Sequence, residues 1–174
     1  MLKYFTPDAY VKSFESIDID KLVAQGFTLM ICDIDNTMVA HDQSHPSDAA
    51  RAFITKVKQS GMQVCMISNN YKNRVETFAK ALDVPFYSFA NKPLKRTYKK
   101  ILRDYHVQAE HVVAVGDQLM TDVLGAKRMH MYVIHTAPLV QRDIKATKVN
   151  RIFENFVYKQ LEKKNILKKG VFDE

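Results

Sequence analysis

The feature that most constrains this chain is a rhythm. Five short apolar runs, at 28–32, 63–67, 86–89, 112–115 and 131–134, alternate with segments of helical periodicity. Several runs are almost continuously apolar and rich in Val, Ile or Met, the pattern of strands covered on both faces. Between them, Pro46-Ser47 opens a helix whose stripe of Ala50, Phe53, Ile54 and Val57 ends at Gly61. Val75, Phe78, Ala79 and Leu82 space a second helix over about 74–82. A third starts at Pro93-Leu94 and carries Tyr98, Ile101, Leu102 and Tyr105, and a fourth covers about 121–129. Strand alternating with helix predicts an α/β fold, a doubly wound parallel sheet whose right-handed crossovers put helices on both faces.

The 174 residues suit one domain, 1–174, with a core at about 28–135. Residues 1–27 read as a helical extension of short helices packed onto the core. Residues 141–169 read as a basic helical tail, with Ile152, Phe153, Phe156, Val157 and Leu161 on one side and Lys159, Lys163, Lys164, Lys168 and Lys169 in its later part. Cys32 and Cys65 sit inside apolar runs and read as small buried hydrophobes in a reducing compartment. No run approaches the roughly 18 apolar residues of a membrane span, and the first residues lack the apolar segment of a signal peptide. A cytoplasmic protein is expected, with peripheral membrane contact through the tail left open.

Charge narrows the partners without choosing among them. Lys plus Arg number 26 against 19 Asp plus Glu, a net charge of +7, which attracts nucleic acid, an anionic membrane or phosphorylated small molecules. It is localised: residues 92–103 hold six basic and no acidic residues, and residues 141–174 hold nine basic and five acidic. The remainder of the chain is slightly acidic. The 92–103 run reads either as the solvated face of a helix or as a surface drawing an anionic substrate to its first turn.

Open parallel sheets bind ligands at the carboxyl ends of their strands, and four predicted strand ends carry unusual polar residues. These are Asp33-Ile34-Asp35-Asn36-Thr37, Ser68-Asn69-Asn70, Asn91-Lys92-Pro93 and Gly116-Asp117 through Thr121-Asp122. Asp33 and Asp35, two apart in extended chain, project to the same side. Adjacent carboxylates are costly unless they share a proton or a cation. Lys92 alone cannot balance Asp33, Asp35 and Asp117, whereas Mg2+ can, because it takes one or two carboxylates, a carbonyl, waters and a substrate phosphate oxygen. One carboxylate can then attack phosphorus to form an aspartyl-phosphate while the second serves as general acid and then base.

In order, Asp-x-Asp-x-Thr at 33–37, Ser68, Lys92 and Gly-Asp-x-x-x-x-Asp at 116–122 resemble the four motifs of the haloacid dehalogenase (HAD) superfamily. The resemblance implies a HAD-like Rossmannoid phosphatase using Mg2+. It implies Asp33 as nucleophile and metal ligand, and Asp35 as general acid/base with its carbonyl on the metal. Ser68 would bind the phosphoryl group, Lys92 would steady Asp33 and phosphate, and Asp117 would complete the metal site. Asp122 and Thr37 would support them. Asn69 is a further candidate for phosphate binding, although Asn69 and Asn70 also suit turn and cap roles. His41 and His45, after the first motif, read as loop residues. Asn36, where many HAD enzymes have Gly, and the two chain ends resemble subfamily IIIA and its YqeG-like branch, which is similar to the mitochondrial-type phosphatidylglycerophosphate phosphatases.

The spacing adds an independent expectation. Thirty-four residues separate Asp33 from Ser68 and 23 separate Ser68 from Lys92. Each gap already holds a loop, a helix and a strand, which leaves no room for a cap domain. An uncapped site suits a large phosphorylated substrate such as an anionic lipid, a protein or a nucleic acid, or needs a second subunit as a lid. The favoured substrate is phosphatidylglycerophosphate. The alternatives are a soluble metabolite, nucleotide or nucleic-acid phosphatase, a phospho-accepting receiver domain, and a basic RNA- or ribosome-associated protein without activity.

Overall fold

The computed structural model describes residues 2–140 and 148–173. Six strands, β1 (Ala9–Val11), β2 (Leu29–Cys32), β3 (Gln63–Ile67), β4 (Phe86–Tyr87), β5 (Val112–Gly116) and β6 (Tyr132–Thr136), form one sheet in the order β1-β6-β5-β2-β3-β4. Every pairing is parallel. The helices are α1 (Ile19–Ala24), α2 (Asp48–Gln59), α3 (Lys72–Lys80), α4 (Lys95–Asp104), α5 (Leu124–Lys127) and α6 (Lys148–Lys163). A single helix joins β2 to β3 and another joins β3 to β4, with no inserted module.

Alternation along each buried strand sorts the core into two layers. Met30 and Cys32 of β2, Val64 and Met66 of β3 and Val113 and Val115 of β5 meet α1, α2 and α3. Their neighbours Leu29, Ile31, Cys65, Ile67, Val112 and Ala114 meet α4, α5 and α6. A strand apolar at every position therefore needs helices on both sides, as these have. Both cysteines are buried and unpaired by disulfide, and burial pushes the thiol of Cys32 above the ordinary range and that of Cys65 up to about 12.

The structure corrects the expectation for residues 1–27, because Ala9–Val11 form an edge strand beside β6 rather than helix alone. Three residues carry too short a pattern to announce a strand. Its outer edge is covered by the end of the chain: Tyr10 N donates to Asp173 Oδ2 at 2.6 Å and Asp173 N donates to Tyr10 O at 2.7 Å, which blunts an otherwise open edge. β4 is shorter than the 86–89 run because Phe89 takes φ 47° and leaves extended conformation. Of the predicted tail, residues 141–147 lie outside the described residues. Val157, Tyr158 and Leu161 of α6 are buried, whereas Phe153 and Phe156 face solvent.

His135 on β6 ties these layers together. Its Nδ1 lies 3.1 Å from Gly116 O, so Nδ1 must donate, and Nε2 accepts from the Tyr158 hydroxyl at 2.6 Å. Tyr10 stacks on the ring at 4.9 Å. Burial lowers its pKa from the ordinary 6.5 to about 4, so the folded protein holds it neutral. The unfolded chain binds a proton below pH 6.5 that the native state refuses, and stability must fall as pH drops from 6.5 towards 4. We expect wild type to lose about 3 kcal/mol more than His135→Gln across that window, measured by urea unfolding at pH 7, 5.5 and 4.5. Parallel losses in the two proteins would contradict it.

Candidate active site

The strand order reverses between β2 and β5. The chain leaves β2 towards β3 and β4 and returns to β5 and β6 on the other side. That switch point opens a crevice beyond the strand ends, and Asp33 follows β2 there while Asp117 follows β5. Asp33 N still donates to Val115 O at 2.9 Å, which continues the ladder and sets the two strand ends side by side. The chain then turns sharply: Met38 N and Val39 N both donate to Ile34 O, and Asn36 takes φ 62°. Asn tolerates this left-handed conformation better than most residues, which explains its presence there.

At the centre is Lys92, buried with Nζ 2.5 Å from Asp33 Oδ1 and 2.6 Å from Asp122 Oδ1. The Thr37 hydroxyl lies 3.1 Å from Asp33 Oδ2 and 3.2 Å from Asp117 Oδ1 and bridges the two carboxylates. Carboxylate oxygens of Asp33, Asp117 and Asp122, all buried, lie within 4.8 Å of one another. Gly116 is required by this packing, because a Cβ there would fall inside the Asp122 side chain. Asp122 reaches inward from an irregular turn, Leu119–Val123, that precedes α5, and its Oδ2 accepts from Gln118 N at 3.1 Å.

Three buried carboxylates against one ammonium leave an excess of negative charge. Burial raises Asp33 to a pKa of about 7, reinforced by Asp122 and opposed by Lys92. Burial, then Asp33 and Asp122, raises Asp117 well above the carboxylate range. Burial disfavours the Lys92 ammonium, but Asp122 and Asp33 more than reverse this and hold it protonated. Oxygen donors in a buried, over-negative cluster are the ligand set of a hard divalent cation, and the residues fit one.

Asp35 points elsewhere. Its Oδ1 accepts from Arg74 Nε at 2.8 Å and Nη2 at 2.5 Å, and its Oδ2 from Ser68 Oγ at 3.4 Å and Asn70 Nδ2 at 3.3 Å. Asp33, Asp35, Ser68, Lys92 and Asp122 line one cavity of about 370 Å³, with Tyr71 and His41 also on its wall. Asn69 lies there too, but its amide is bonded at both ends to the Lys92 backbone: Lys92 N donates to Oδ1 at 2.7 Å and Nδ2 donates to Lys92 O at 3.1 Å. Its side chain thus positions Lys92, and this departs from a direct phosphate contact. A larger cavity of about 460 Å³, bordered by Asp8, Phe27 and Tyr132, lies at the opposite strand ends, away from the acidic cluster.

Sequence reasoning missed Arg74 and Glu154. Arg74 sits in the first turn of α3, where its spacing resembles that of any exposed helix residue, and its partner is 39 positions away. Glu154 on α6 accepts from Leu119 N at 2.6 Å and fastens the last helix to the turn carrying Asp122. No local pattern marks either.

A doubly wound parallel sheet gathers acids, a lysine and a serine hydroxyl at its switch point, the place where such sheets take their ligands. The chain matches the family of haloacid dehalogenase-like hydrolases over residues 7–130 and belongs to it. It is 33% identical over 162 residues, 93% of this chain and 94% of the other, to Probable phosphatase YqeG of Bacillus subtilis (strain 168). It is 26% identical over 110 residues, 57% of this chain and 44% of the other, to glyceraldehyde 3-phosphate phosphatase of Pyrococcus abyssi (strain GE5 / Orsay). An uncharacterized protein from Listeria monocytogenes serotype 4b shares the fold at TM-score 0.54 and 16% identity, over 76% of this chain and 99% of that one. The protein is a HAD-family phosphatase, a phosphomonoester hydrolase.

Proposed function

We propose that the protein hydrolyses phosphomonoesters through an aspartyl-phosphate on Asp33, with Mg2+ held by Asp33, Asp117 and the Asp35 carbonyl and with Asp122 close by. The observation that carries this reading is the buried cluster of Asp33, Asp117 and Asp122 around Lys92. When bound, the cation neutralises carboxylate and phosphoryl charge, keeping Asp33 ionised and phosphorus open to attack. Ser68 Oγ hydrogen-bonds the phosphoryl oxygens, and Lys92 holds Asp33 in place while adding positive charge. As the Asp33–phosphorus bond forms and the ester bond breaks, Asp35 gives its proton to the leaving oxygen. It then takes a proton from the water that attacks phosphorus, releasing phosphate and free Asp33.

The substrate favoured is phosphatidylglycerophosphate, met at the surface of an anionic membrane. Support comes from the uncapped mouth and from α4, whose Arg96, Lys99 and Arg103 are exposed on a helix that starts three residues after Lys92. Among the described residues no helix is long and apolar enough to cross a membrane, so contact would be peripheral. A second reading, a soluble sugar-phosphate phosphatase, is favoured by the similarity to glyceraldehyde 3-phosphate phosphatase. Phosphate release from phosphatidylglycerophosphate in mixed micelles, beside a panel of sugar phosphates and nucleotides, separates them. The lipid is expected to give the highest kcat/KM, by about tenfold or more, a difference of about 1.4 kcal/mol in transition-state stabilisation. Brisk turnover of a soluble metabolite with none of the lipid would reject the lipid reading.

A further inference from the structure

We infer that Arg74 is a positioning residue that selects which oxygen of Asp35 carries the transferred proton. The inference rests on the reading of Asp35 as general acid/base. The two oxygens of this carboxylate are held very differently. Oδ1 takes both charged donors of Arg74, at 2.8 and 2.5 Å, whereas Oδ2 meets only the neutral Ser68 hydroxyl and Asn70 amide, at 3.4 and 3.3 Å. Among the described residues Arg74 is the one cation paired with Asp35.

A proton on Oδ1 would point at guanidinium N–H groups, donor against donor, because arginine has no acceptor and does not deprotonate. The proton therefore belongs on Oδ2, whose contacts are long, neutral and easily displaced. Oδ2 is also the oxygen beside Ser68, where the phosphoryl group would sit. Both members are only partly exposed, 18% for the Arg74 side chain and 24% for that of Asp35, so the planar fork fixes the carboxyl plane at the edge of the cavity. When the ester bond breaks, the Oδ2 proton passes to the leaving oxygen and the carboxylate charge is met by Arg74. In the second half-reaction Oδ2 takes the proton back from water. Without Arg74 the carboxyl group can rotate, and the acid loses its aim while the nucleophile Asp33, held by Lys92 and Thr37, keeps its own.

The test uses leaving groups that differ in their need for an acid. For wild type, Arg74→Ala and Arg74→Lys, kcat/KM is measured from 2,4-dinitrophenyl phosphate, which departs unprotonated, through phenyl to alkyl phosphates, which do not. This ratio covers steps only up to departure of the alcohol, so hydrolysis of the aspartyl-phosphate does not enter it. Arg74→Ala should lose about 100-fold on the alkyl ester, within the range of general acid catalysis, and under about threefold on the dinitrophenyl ester. Arg74→Lys should recover part of the alkyl loss, and thermal unfolding checks that both variants are folded. Equal losses across the series would overturn the inference, because a phosphate-binding or purely structural arginine affects every ester alike. Asp35→Asn separates the two levels. A steep dependence in that variant beside a flat one in Arg74→Ala overturns the role of Arg74, whereas a flat dependence in Asp35→Asn overturns the acid/base reading beneath it.

Discussion

Asp33→Asn should lower kcat by about 10⁴-fold or more, the scale on which removing a nucleophile acts, while leaving the fold intact. The second half of this expectation follows from the charge of the site. Burial and Asp122 raise the Asp33 carboxyl to about 7 in the metal-free protein, so the native state holds a proton that the unfolded chain releases above its ordinary 3.8. Stability contributed by that group is present at low pH and declines as pH rises from about 4 to 7. At neutral pH the ionised side chain works against folding, and a neutral amide of the same shape relieves its repulsion with Asp117 and Asp122. The variant should therefore unfold at the same temperature as wild type or higher in EDTA, and show no activity on an aryl phosphate with or without added metal. Retention of a tenth of wild-type turnover would exclude Asp33 as nucleophile.

Chelation should have the second-largest effect. EDTA is expected to reduce turnover at least about 100-fold, a loss of roughly 2.7 kcal/mol of transition-state stabilisation, with recovery on adding excess Mg2+. Because burial raises the Asp33 carboxyl to about 7 and that of Asp117 above the carboxylate range without metal, a cation competes with protons for these oxygens. Below about pH 7 protons on Asp33 compete with the cation, so apparent Mg2+ affinity should weaken as pH falls. Titration calorimetry at pH 6 and 8, in buffers of different ionisation enthalpy, would register the affinity change and the proton release directly. Turnover unaffected by EDTA, together with heatless Mg2+ titrations, would remove the metal from the mechanism.

The legible part of the site is that whose residues sit at strand ends. Asp33, Ser68, Lys92 and Asp117 could be found from sequence because a buried strand announces itself by its apolar run, and the polar residue after it lies on the crevice. The structure brings Asp33, Ser68 and Lys92 to the wall of one cavity, with Asp117 linked to Asp33 through the Thr37 hydroxyl and Asp122 paired with Lys92. Asn69 was visible for the same reason, yet its amide turned inward to the Lys92 backbone, a choice that depends on where a loop 23 residues away comes to rest. The two exposed phenylalanines of α6 likewise separate from Val157 and Leu161 only once the helix is seated.

What the sequence determined by itself is the α/β alternation, the two-sided burial of the central strands and the set of acids and lysine at their ends. These follow from local rules, the period of side chains along a strand or helix, which act over a few residues. Only the tertiary structure decided that Ala9–Val11 would complete the sheet, that Asp173 would cover its edge, that Glu154 would fasten α6 to the turn bearing Asp122, and that Arg74 would grip one oxygen of Asp35. Each is a polar contact spanning 35 or more positions of chain, or a strand too short to show a period. Such contacts depend on a few ångströms of relative placement between elements, a quantity that hydrophobic periodicity does not encode.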